Sequence, residues 1–115
     1  MYRHLYAQTV EESPAAARVR ERELLERAIR LLAVARIKGA RSAESFEATD
    51  NLRRLWVILI EDLSSEGNAL PEALRASLIS IGLWILREID SIDSGRSDNF
   101  DGLIEINQMI ADGLS

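Results

Sequence analysis

Apolar residues recur every three or four positions along most of this chain, and no stretch alternates apolar with polar long enough to make a credible strand. That period belongs to the amphipathic helix, so the pattern commits the chain to an all-α fold. The stripes are bounded by residues that start and stop helices. Ser13 before Pro14 supplies a capping hydroxyl and then a first-turn residue whose missing N–H costs nothing there. Leu25, Ala28, Ile29, Leu32 and Ala35 follow at helical spacing, and Gly39 is placed to end the helix in a left-handed conformation. Ser42 opens a second helix with the stripe Leu52, Leu55, Trp56, Leu59 and Leu63, which stops by Ser64-Ser65-Glu66-Gly67. Pro71 starts a third. There Leu74, Leu78, Ile81, Ile85, Ile89 and Ile92 form one seam, Ile79, Leu83 and Leu86 form another, and the helix ends at Gly95. Asp98 and Asp101 place acidic groups at the start of a last helix, running through Leu103, Ile104, Ile106 and Ile110 to Gly113. The expectation is a small single-domain bundle over residues 1–115: three long helices, a short C-terminal helix and a short helix before Pro14.

At 115 residues the chain has room for one core. It has no cysteine, which removes disulfides, thiolate metal sites and thiol nucleophiles. No apolar run approaches the roughly 20 residues that span a bilayer, and "MYRHLYAQTV" lacks the apolar core of a signal peptide, so a cytoplasmic protein is expected. The net charge of −5 is unevenly spread, at +3 over residues 1–60 and −8 over residues 61–115. An acidic C-terminal half repels phosphate backbones, so direct nucleic-acid binding is not expected. The arginines from Arg18 to Arg41 are interleaved with Glu21, Glu23 and Glu26 and read as a solvated helix face.

Nothing marks a catalytic, cofactor or metal site. His4 is the only histidine and has no nucleophile beside it, and Asp90, Asp93, Asp98 and Asp101 do not follow the spacing of a calcium-binding loop. The chain does have surplus apolar surface. "LWVILIEDLSSEGNALPEALRASLISIGLWIL", residues 55–86, contains both tryptophans, and in "LISIGLWIL" almost every direction around the helix is apolar. A helix apolar all round must be covered on all sides, and a domain of this size offers few such positions. Gly82 would let another helix approach closely. Trp56, Ile79, Leu83, Trp84 and Asn107 are therefore the candidate partner-binding residues, although a tryptophan pair at helical spacing is most often core. Glu at Ile79 or Leu83 is expected to spare the helices and abolish partner capture. Asn107 lies among Leu103, Ile104, Ile106 and Ile110 and must be hydrogen-bonded, either within the bundle or to a bound chain, so that Asn107→Leu is expected to alter recognition more than stability.

Ser13-Pro14, "RRLW" at residues 53–56, "EGNALPEALRASLISIGLWI" at residues 66–85 and "LIEINQMIADGL" at residues 103–114 together resemble the FlaF family of alphaproteobacterial flagellar biosynthesis regulators. The resemblance covers nearly the whole chain, with departures at Leu52, where that family often has Asn, and at Gln108, where it often has Arg. It implies a cytoplasmic, non-enzymatic regulator of flagellum biogenesis with flagellin as partner and FlbT as co-regulator. A flagellin chaperone or secretion escort, taking amphipathic flagellin helices into an apolar groove, fits the surplus apolar surface best. The alternative is post-transcriptional control of flagellin messenger RNA together with FlbT. The same apolar surface would also serve a homo-oligomer.

Overall fold

The structure, a computed structural model, describes residues 13–114. They form four helices: α1 (Pro14–Lys38), α2 (Ala43–Ser64), α3 (Glu72–Asp93) and α4 (Phe100–Asp112), with no strand among the described residues. The expected helix before Pro14 lies outside the described residues.

The helix ends follow local chemistry. Ser13 caps α1 by accepting the Ala16 N–H at 3.2 Å, and Ser42 caps α2 by accepting the Ser45 N–H at 3.1 Å. Gly39 and Gly95, after α1 and α3, both adopt positive φ, at 100° and 80°. Gly39 combines this with a ψ of 159°, so it ends α1 in an extended glycine-only conformation rather than the helical left-handed one. The cap of α4 is Asn99, whose side chain accepts the Gly102 N–H at 3.0 Å, while Asp101 occupies the first turn.

The four-residue turn after α1 makes α2 antiparallel to it. Arg36 in the last turn of α1 meets Asp101 in the first turn of α4 at 2.6 Å, so α4 also runs antiparallel to α1. Arg53 and Thr49 in the first half of α2 reach Asp93 at the end of α3 at 2.7 Å each, which fixes α3 antiparallel to α2. The principal packings are α1 on α2, α1 on α4 and α2 on α3; α3 and α4 make no comparable packing.

The core is built from Leu25 and Leu32 of α1, Leu52, Trp56 and Leu59 of α2, Ile85, Ile89 and Ile92 of α3, and Phe100 and Leu103 of α4. Every residue of the expected α2 stripe is buried. In α3 the inward seam is the one ending in Ile85, Ile89 and Ile92, but no residue of that helix before Gly82 is buried. In α4 the inward face is Phe100, Leu103, Asn107 and Ala111, while Ile104, Ile106 and Ile110 are only half-buried. Gly82 does admit a helix, and that helix is α2 of the same chain. A methyl group at Gly82 would lie 2.8 Å from Trp56 Cε3 and 2.9 Å from Ile60.

Candidate functional site

Because α3 and α4 flank the bundle without packing on each other, an open groove of about 340 Å³ remains between them. Ile81 and Trp84 form its α3 wall, and Gly102, Glu105, Ile106 and Met109 form its α4 wall. Met109 is 69% exposed, so the α4 wall carries an uncovered apolar side chain. Glu105 is the single charged residue lining the groove, and its side chain makes no hydrogen bond or ion pair among the described residues.

The candidate residues separate into three groups. Trp56 and Asn107 are fully buried, and the Trp56 indole N–H donates to Asn107 Oδ1 at 2.8 Å. The Asn107 amide in turn donates to the Leu103 carbonyl at 2.7 Å. Both lie in the core and present no surface to a partner in this structure. Trp84 is half-buried on the groove wall. Ile79 and Leu83 are accessible, Leu83 at 45%, but at 100° per residue they lie on the flank of α3 turned away from Ile81 and Trp84, and neither lines the groove. Ile106 and Met109, which also line the groove, were not among the candidates. Met109 carried a signal, being a large apolar residue between Glu105 and Asp112 on the polar side of α4.

The acidic residues at the end of α3 and the start of α4 serve the fold. Arg53 bridges Asp93 at 2.7 Å and Asp90 at 3.2 Å, and Arg36 takes Asp101. The Asp93 hydrogen bond, against opposing desolvation, holds the Arg53 pKa above its ordinary value. Asp90, Asp93 and Asp101 are thus ion-paired. No group of His, Cys, Asp and Glu among the described residues is arranged to hold a metal ion. His4 lies outside the described residues. No helix among the described residues is long and apolar enough to cross a membrane. Arg22–Glu26 is an ion pair four residues apart in α1, the local helix support expected of interleaved charges, and Asp50–Arg54 makes a like pair in α2, but Glu21, read as part of a solvated face, is buried.

These features define a small all-α bundle with one side open as an apolar groove. The chain belongs to the FlaF family, whose model, described as flagellar protein FlaF, matches residues 2–114. It is a flagellar protein by that membership, as the sequence motifs implied. Neither the curated proteins nor the solved structures gave a match.

Proposed function

We propose that this chain is a cytoplasmic flagellin chaperone or secretion escort that takes an amphipathic flagellin helix between α3 and α4. The observation that carries this reading is the open groove walled by Ile81, Trp84, Ile106 and Met109, joined to membership of a flagellar family. A helix presents apolar side chains at positions three and four apart, and a groove of this volume receives a few such side chains rather than a whole helix. Burial on that scale gives modest affinity, suited to a client that must be released. The role is binding, not catalysis. Any effect on flagellin messenger RNA is then exerted through protein contacts, FlbT among them, because residues 61–115 carry a net charge of −8.

The test is capture of flagellin from the same organism by the purified, nuclease-treated protein. Wild type is expected to retain flagellin and Met109→Glu to lose it, while Leu83→Glu, on the opposite flank of α3, retains it. Loss of capture on nuclease treatment, or full capture by Met109→Glu, would overturn the reading. Capture lost in Leu83→Glu instead would move the contact to the Ile79–Leu83 flank.

A further inference from the structure

The charge around the groove constrains what enters it. Asp101, Glu105 and Asp112 are the only charged residues of α4, and all three are acidic. Positions 101, 105 and 112 fall within about 40° of one another around a helix with 3.6 residues per turn. They form one stripe along the solvent side of α4, beside Met109. Asp101 is compensated by Arg36, and Asp112 accepts a hydrogen bond from Gln108, but Glu105 in the middle of the stripe has no partner among the described residues. No basic residue lines the groove, and residues 72–112 carry eight Asp and Glu against three Arg.

Resting on the groove reading above, we infer that the helix taken up between α3 and α4 carries Lys or Arg beside its apolar face, one of them meeting Glu105. Such a helix places a cation one turn from its apolar knobs, so the knobs enter between Trp84, Ile106 and Met109 while the cation reaches the rim. An acidic-flanked helix would meet like charge from α4. The contribution of the single Glu105 pair is small because the site is exposed, about two- to fivefold in affinity. The field of the whole acidic face adds to the association rate at low salt, and both effects are screened as salt rises.

The test uses the full chain and two synthetic amphipathic helical peptides with one apolar face, flanked in one by Lys and in the other by Glu. Affinities are measured by calorimetry at about 0.05 M and about 0.5 M salt, where the screening length falls several-fold. The Lys peptide is expected to bind about tenfold more tightly at low salt, with the preference shrinking at high salt and falling about threefold in Glu105→Lys. Met109→Glu should weaken both peptides. Equal affinity, preference for the Glu peptide, or binding of neither overturns the inference. So does self-association abolished by Met109→Glu, which would place a second copy in the groove. Flagellin capture separates the two proposals. If capture depends on Met109 but the peptides show no charge preference, the charge inference falls and the flagellin reading stands. If flagellin is not captured at all, the flagellin reading falls whatever the peptides do.

Discussion

The Trp56 indole N–H donates to Asn107 Oδ1 at 2.8 Å across 51 positions of sequence, and neither residue has measurable exposure. This bond ties α2 to α4 directly, although α4 packs mainly on α1. It also reverses what the sequence implied for Asn107→Leu. The apolar replacement removes one partner and leaves the Trp56 N–H buried without an acceptor, a cost of about 1–3 kcal/mol. The urea midpoint of Asn107→Leu should fall by roughly 1 M at a typical slope for a small domain. Adding Trp56→Phe, which deletes the donor, should destabilise by less than the sum of the two single changes. Strict additivity would show that the bond contributes nothing.

Gly82→Ala sets two effects against each other. Alanine inside a helix is favoured over glycine by about 1 kcal/mol. Its methyl group would stand 2.8 Å from the rigid Trp56 ring, and such overpacking costs about 1–3 kcal/mol. The clash should prevail and lower the melting temperature by several degrees. Gly67→Ala, with open space around the new methyl, is the control and should leave the melt unchanged.

Removing the guanidinium in Arg53→Ala should cost about 1 kcal/mol, since Arg53 and Asp90 are partly solvated and such pairs are screened. The loss should shrink in high salt. The Arg53 pKa is raised in the folded state, so its contribution is present below the unfolded value and lost only as pH rises through the still higher folded value. The stability difference from wild type should therefore stay flat from about pH 7 to about pH 9, read from denaturant midpoints. A difference that vanished by pH 9 would contradict this.

Ser42 accepts from the Ser45 N–H and donates to the Gly39 carbonyl at 2.7 Å, so it serves the start of α2 and the turn before it. Ser42→Ala should cost about 1 kcal/mol, and Ser42→Thr, which keeps both functions, should cost much less. Urea unfolding of the pair distinguishes capping from a general effect of substitution at the turn.

Most of the helix ends were legible because capping is a local matter: Ser13, Ser42 and the glycines at positions 39 and 95 need only their neighbours in sequence. Asn99 shows the limit of that reasoning, since Asp98 offers a similar acceptor one position earlier and only the path of the turn selects between them. The facing of α4 was harder. Its acidic residues mark the solvent side, but the apolar arc opposite them is wide, and the pattern does not say which part of that arc meets the core. What turns Asn107 inward and leaves Ile106 at the groove is a hydrogen-bond partner on α2, which no local rule can supply. The place of the groove was not legible for the same reason, because it is a gap between two helices and not a property of either.

That no residue of α3 before Gly82 is buried gives one helix two stabilities. Amides beyond Ile85, anchored by Ile89 and Ile92, should exchange with solvent only when the whole domain opens, whereas those around Ser77 to Ile81 should exchange through local opening at a fraction of that free energy. Hydrogen exchange should therefore show a step in protection within α3. A bound chain that covers the first half of the helix would raise protection there first, leaving a footprint that can be read without knowing the client beforehand.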